Sequence, residues 1–142
     1  MPIDFSAESQ KALQYASKLA SQFGATLKLI HVVEPTPFIN DLPNVVLTRS
    51  DQEIAKESRI RLQALAKDEI DELIPVQTGV RIGKPYHEIA SFAKVTDADL
   101  IVISTHGYTG LKHTLLGSTA ERVVRYATCP VLVVRDARKE RL

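Results

Sequence analysis

Between Ser104 and Ser118 the chain reads STHGYTGLKHTLLGS, a run of glycines and short hydroxyls set between an apolar segment and an amphipathic one. The chemistry open to such residues is anion binding by bare backbone. Gly107 can supply positive φ or let a ligand approach the main chain, and Gly117 can do the same at a helix start. The N–H groups of a first helical turn have no intrahelical acceptor, and the helix dipole behind them favours a phosphate. Ser118 and Glu121 have the S-x-x-E spacing of a capping box, which predicts a helix opening at Gly117-Ser118 with the Ser118 hydroxyl partly engaged as a cap. The stretch is not a Walker A loop, because no G-K-S/T triplet occurs, and not the Rossmann fingerprint, which would follow the first strand. His106 lies mid-turn, and no acid, cysteine or second histidine is spaced to work with it, so it reads as a histidine tolerated in a turn. Lys112 and His113 are placed either to touch a terminal phosphate or to face solvent. His31 and His87 are too scattered for a metal site. Loop glycines more often punctuate a turn than cradle a phosphate, so the reading needs support from the rest of the chain.

The elements that position this turn follow from hydrophobic periodicity. Ala12, Leu13, Ala16, Leu19, Ala20 and Phe23 repeat at helical spacing from Ser6 to Phe23, with Ser6 as cap and Gly24 as stop. ATLKLIHVVE, bounded by Gly24 and Pro35, predicts a strand ending near Val33. The segment from Pro35 to Asn44, with its prolines, reads as a loop. Arg49 to Leu73 carries Leu62, Leu65, Ala66, Ile70 and Leu73 on one side and predicts a long helix stopped before Pro75. VQTGVRIG reads as a short strand. KPYHEIASFAKVTDAD places Tyr86, Ile89, Ala90 and Ala93 on one helical face, with Pro85 in the first turn. LIVIS and PVLVVR are continuous apolar runs, as strands buried on both faces should be, and Ala120, Val123, Val124 and Ala127 form a last helical stripe between them.

This alternation predicts an α/β fold: a doubly wound, mostly parallel five-stranded sheet with helices on both faces, of the Rossmann-like type. Right-handed crossovers then place every strand-to-helix loop along one sheet edge, where ligands bind in such folds. The chain opens MPIDFS, leaving only Met1 to Asp4 for a central first strand. That strand is expected to be a truncated stub, or to continue in residues upstream of Met1.

Composition bounds the class. At 142 residues and 44% hydrophobic content, residues 1–142 are expected to form one domain. Eighteen basic and seventeen acidic residues give a net charge of +1, which lacks the basic footprint of a nucleic-acid binder. The RDARKER cluster at the end reads as a solvated tail. Cys129 is the sole cysteine, so no intramolecular disulfide can form, and its place before an apolar strand predicts a buried thiol in a reducing compartment. No apolar run approaches the roughly 20 residues needed to cross a bilayer, and no signal-peptide pattern is present at the start. A cytoplasmic protein without membrane contact is expected.

PIDFS, HVVE, STHG, LLGS and CPVLVV fall in the order of the universal stress protein (UspA-like) family, which the chain resembles from Pro2 to Val134. The ATP-binding branch of that family has the pattern G-x2-G-x9-G-S/T. Here Ser104 stands at the first glycine, and Gly107, then Gly117 and Ser118, keep the spacing. The resemblance implies ATP as ligand, with ADP or AMP as variants and Mg²⁺ carried by the phosphates. It implies a nucleotide-binding set of Pro2, Asp4, Val32, Ser104, His106, Gly107, Gly117, Ser118 and Thr119. In that set Asp4 would lie by the adenosine and the Val32 backbone would read the adenine edge, while Ser104, Gly107, Gly117, Ser118 and Thr119 would surround ribose and phosphates. Asp4 reads equally as a turn acid before the first helix, and Val32 as strand core. Ser104 adds a Cβ and a hydroxyl beside the phosphates, which crowds them or donates one more hydrogen bond.

The implied function is a nucleotide-responsive regulator or sensor in the stress response, a binding module more than an enzyme, because the cradle has donors but no general base and no motif lysine. Slow ATP hydrolysis with water as nucleophile is the most that an enzymatic reading supports. The alternative is a nucleotide-free stress protein acting through dimerisation and partner contacts. PVLVVRD reads as an apolar edge strand, which in this family pairs across a two-fold axis, so a homodimer is expected in either case.

Overall fold

A computed structural model describes residues 1–35, 49–105 and 116–135. The expectations for His106, Gly107, Gly110, Lys112, His113, the proline-rich loop and most of the RDARKER tail lie outside the described residues. Helices and strands alternate as α1 (Ala7–Phe23), β1 (Leu27–Val33), α2 (Asp51–Glu69), β2 (Val76–Ile82), α3 (Pro85–Val95), β3 (Ile101–Ser104), α4 (Ser118–Tyr126) and β4 (Val131–Val134). Local signals set several of these bounds. The Ser6 hydroxyl accepts from the Ser9 N–H at the start of α1, and Gly24 ends the helix in the left-handed conformation at φ 61°. Pro85 opens α3, where its missing N–H costs nothing.

The strands pair in parallel, β1 with β2 from Leu27↔Val76 to Val33↔Ile82, and β3 with β4 from Ile101↔Val131 to Ser104↔Val134. The segment Met1–Asp4 adds one parallel bridge, Pro2 with Ile30, in which the Ile3 N–H donates to Ile30 O at 2.8 Å and the Ile30 N–H to Met1 O at 3.0 Å. The expected α/β architecture with parallel strands is present, but the continuous five-stranded sheet is not. Among the described residues there are two two-stranded sheets and a bridged stub. The physical reason lies in the stub: Pro2 has no N–H to donate, and the chain turns at Phe5 with φ 64°, so Met1–Asp4 cannot ladder along both neighbours.

Strand alternation divides the core in two. Leu29 joins Leu13, Leu62 and Val102 in one buried cluster, whereas its neighbour Ile30 joins Ile89, Ile103 and Val123 in the other. Because successive strand residues face opposite sides, helices α1 and α2 cover one face and α3 and α4 the other. Among the described residues no helix is long and apolar enough to cross a membrane.

Four expectations are corrected. Helix α2 starts at Asp51, not Arg49, and ends at Glu69 instead of reaching Leu73. Asp71 accepts from the Leu73 N–H through Oδ1 at 2.9 Å and from the Ile74 N–H through its carbonyl at 2.9 Å, a local turn that competes with helix. Ile70 therefore turns inward and is buried, while Leu73 is 89% exposed. On α4, Val123 is fully buried but Val124 is 48% exposed, since one step along a helix rotates a side chain off the stripe. Cys129 is half-buried instead of buried, packed against the second cluster just before β4.

Candidate functional site

The edge at which β1 and β3 end gathers the expected site residues in two groups. The first is organised by Thr105, the buried residue after β3. Its N–H donates to Val134 O at 3.1 Å, extending the pairing with β4, and its carbonyl accepts from the Gly117 N–H at 2.6 Å. That second bond draws the start of α4 onto the end of β3. It brings Ser104, Gly117, Ser118 and Thr119 to one place.

At this start the structure departs from the sequence expectation. Gly117 is the cap residue, with φ −66° and ψ 150°, an extended conformation open to any residue, so of the two uses expected of this glycine, positive φ or close approach of a ligand, positive φ is absent. Ser118 is the first helical residue and not the cap, and among the described residues no side chain caps the helix. The capping box of Ser118 and Glu121 does not form. With the frame moved by one residue, the Glu121 N–H donates to Gly117 O at 2.9 Å and the Glu121 carboxylate accepts from Arg125 one turn on, at 3.5 Å. The N–H groups of Ser118, Thr119 and Ala120 are left as first-turn donors without an acceptor among the described residues. Ser118 is exposed and Thr119 half-buried.

The second group lies on β1. Pro2 bridges Ile30 on this strand, and Asp4 lies two residues beyond that bridge, as Val32 lies two beyond Ile30. Asp4 Oδ1 accepts from the Ser6 N–H at 3.0 Å and the Ser6 hydroxyl at 2.5 Å, which gives Asp4 the turn-acid role before α1. Val32 is half-buried, pairs in register with Arg81 and packs on the second core cluster. Its strand-core role is therefore present whatever its backbone contacts.

Two positioning residues carried no signal in the sequence. His31 Nδ1 lies 2.7 Å from Ile3 O. A carbonyl only accepts, so Nδ1 carries the proton and donates, which ties the Met1–Asp4 segment to β1. The Phe5 ring stacks on His31 with centroids 4.7 Å apart, and the Arg61 guanidinium lies over the other partner, Phe5, at 4.1 Å. Thr105 was likewise missed, although it stands inside STHG, because its function rests on main-chain atoms. Among the described residues no group of three or more histidine, cysteine or acidic side chains is placed to hold a metal.

Known proteins resemble this chain in sequence and fold. A model of the universal stress protein family matches residues 1–135. A universal stress protein of Methanocaldococcus jannaschii is 39% identical over a match covering 99% of this chain and 82% of its own length. The solved structure of the protein MJ0577 from the same organism is similar at a TM-score of 0.77 and 27% identity, covering 96% of this chain and 94% of that one. A universal stress protein of Archaeoglobus fulgidus, solved in complex with dAMP, has the same fold at a TM-score of 0.62 and 23% identity, covering 93% and 92%. With a family match running from Met1 to Arg135 and the alternating helices and parallel strand pairs of its solved relatives, the chain belongs to the universal stress protein family.

Proposed function

We propose that this chain is a nucleotide-responsive regulator of the stress response that binds an adenine nucleotide, ATP with its Mg²⁺ or the shorter ADP and AMP, along the edge where β1 and β3 end. The observation that carries this reading is the open start of α4. Gly117 occupies the cap in a conformation that does not require glycine, with no side chain among the described residues closing the first turn. A serine or aspartate at that position would satisfy one of these donors internally. Left open, they point with the helix dipole at whatever anion lies beyond them.

In this reading the N–H groups of Ser118 and Thr119 and their hydroxyls donate to phosphate oxygens. Ser104, at the end of β3, adds a hydroxyl beside them, and His106 and Gly107 follow it directly in the chain. Asp4, oriented by Ser6, accepts from a ribose hydroxyl, while Pro2 and the Val32 backbone wall the adenine side. Bound Mg²⁺ would neutralise phosphate charge. The A. fulgidus relative holds dAMP, an adenine nucleotide, on the same fold, which supports the ligand class. The described residues offer donors and no general base, so the activity is binding, with ATP turnover slow at most. Among the described residues β4 pairs with β3 alone and Leu132 is 40% exposed, so the reading includes a single-domain protein that forms a homodimer along this edge.

The test is calorimetric titration of nucleotide-free protein with Mg-ATP beside a Gly117→Val variant. Heat of binding in the parent and its loss in the variant are expected. No heat in the parent overturns the reading, leaving a nucleotide-free dimer in which Ser104 crowds the phosphate position.

A further inference from the structure

On β1 the main-chain groups of Val32 are an exception. The Leu27 N–H donates to Pro75 O at 2.8 Å and the Gly83 N–H to Val33 O at 2.9 Å, so the odd-numbered residues of β1 turn their N–H and C=O groups to β2. The even-numbered ones face the other way. There Ile30 is engaged through both groups, its N–H donating to Met1 O at 3.0 Å and its carbonyl accepting from the Ile3 N–H at 2.8 Å. In a parallel ladder the next bond would run from the Val32 N–H to Ile3 O. It does not form. Among the described residues neither main-chain group of Val32 has a hydrogen-bond partner, although the residue is half-buried.

His31 accounts for the gap. Its Nδ1–H donates to Ile3 O at 2.7 Å and so takes the acceptor that the Val32 N–H would otherwise reach. Phe5 holds the imidazole in place, stacked on it with centroids 4.7 Å apart, and the Arg61 guanidinium lies over Phe5 at 4.1 Å. Beyond Ile3 the chain leaves the strand direction, since Phe5 has φ 64° and the Ser6 N–H donates to Asp4 Oδ1 at 3.0 Å. A side chain thus replaces a backbone bond. The replacement leaves one half-buried donor and one half-buried acceptor of Val32 without a protein partner, a cost that folding alone does not require.

We propose that His31 sets the base specificity of the nucleotide site, by holding Ile3 O and so keeping the Val32 N–H and C=O open to the base. The inference rests on the adenine-nucleotide reading above and names the residue that selects the base. Adenine presents a ring-nitrogen acceptor beside its N6 donor, which a main-chain N–H and C=O can meet together, whereas guanine presents the acceptor O6 in place of that donor. With Val32 open, guanine sets O6 against a carbonyl. With the Val32 N–H closed onto Ile3 O, the donor is lost and the two bases are no longer told apart. His31 acts through the Ile3 carbonyl and is a positioning residue.

The experiment measures affinities for Mg-ATP and Mg-GTP by calorimetry, with hydrogen exchange of the Val32 amide, in the parent, His31→Leu and His31→Asn. Leucine has no donor, so the Val32 N–H can take Ile3 O. A parent preference for ATP of about tenfold or more is expected to fall to about threefold or less in His31→Leu. Exchange of the Val32 amide without nucleotide should slow there by about tenfold or more. Asparagine carries an N–H donor near the position of Nδ1 and is expected to keep the parent's preference and its exchange rate. Unchanged preference or unchanged exchange in His31→Leu, or the same loss in His31→Asn, overturns the proposal. The parent alone gives a second check if the leucine variant does not fold: its Val32 amide should exchange fast without nucleotide and be protected by Mg-ATP but not by Mg-GTP, and protection before any nucleotide is added overturns the proposal. A parent that binds neither nucleotide overturns the adenine reading and the base specificity with it, while Val32 exchange in the nucleotide-free forms still decides whether His31 holds these groups open.

Discussion

At the start of α2 the Ser50 hydroxyl accepts from the Glu53 N–H at 3.2 Å and the Glu53 carboxylate accepts from the Ser50 N–H at 2.9 Å, whereas at the start of α4 no side chain among the described residues closes the first turn. Both helices carry the same S-x-x-E spacing, in Ser50-Asp51-Gln52-Glu53 and in Ser118-Thr119-Ala120-Glu121. The difference comes from what lies before the serine. Thr105 O holds the Gly117 N–H at 2.6 Å and makes Gly117 the last non-helical residue. Ser118 then already has helical geometry and cannot cap. Ser50 is exposed, and its N–H is taken by Glu53 within the same turn. A capping box is thus a local motif that one long-range bond can move out of frame, turning a closed helix start into an open one.

The contrast can be broken most severely at Gly117. Gly117→Asp closes α4 with an acceptor and sets a negative charge at the proposed phosphate position. It is expected to weaken Mg-ATP binding at least about 100-fold, close to 3 kcal/mol, in calorimetry. Unchanged affinity would mean that the open donors of α4 play no part in binding. At the closed helix, Ser50→Ala removes the cap and is expected to lower the unfolding free energy by about 1 kcal/mol in urea titrations, with nucleotide affinity unchanged. A loss of affinity there would show that the two helix starts are not separate in function.

Ser118→Ala sharpens the distinction on a smaller scale. Since Ser118 is no cap, stability should stay within about 0.5 kcal/mol of the parent while affinity falls about threefold to tenfold through the lost hydroxyl. A stability loss of the Ser50→Ala size would restore Ser118 as the cap. The smallest effect is expected of Gly117→Ser, which should raise stability by a few tenths of a kcal/mol as a side-chain cap forms, and lower affinity at the same time. Movement of both quantities in the same direction would count against the trade between capping and binding.

What could be read along the chain was whatever depends on near neighbours. Ser6 and Gly24 bound α1 because a cap and a left-handed stop act within one turn. The end of β1 at Val33 and the presence of a strand in PVLVV follow from apolar runs bounded by prolines and glycine, whereas the pairing of that strand with β3 came from the structure. Helix α2 was read four residues too far at its C-terminal end, since the apolar spacing of Ile70 and Leu73 continues its stripe while the Asp71 turn ends the helix. At the site, the family spacing through Ser104, Gly117 and Ser118 was legible, but the geometry of Gly117 was not. Its role as cap depends on Thr105, and the fixing of Met1–Asp4 depends on His31, whose partner Ile3 is 28 residues away.

The amino-acid sequence by itself determined the alternation of helices and strands, the apolar faces they bury and the family to which the chain belongs, because these rest on periodicity and short-range chemistry repeated along the whole length. Only the tertiary structure decided that α4 begins at Ser118 with its donors open and that the stub bridges β1 at Pro2 and Ile30. Each of these turns on a main-chain hydrogen bond between distant residues. Every residue but proline carries the same backbone donor, so side-chain identities do not encode which partner it finds.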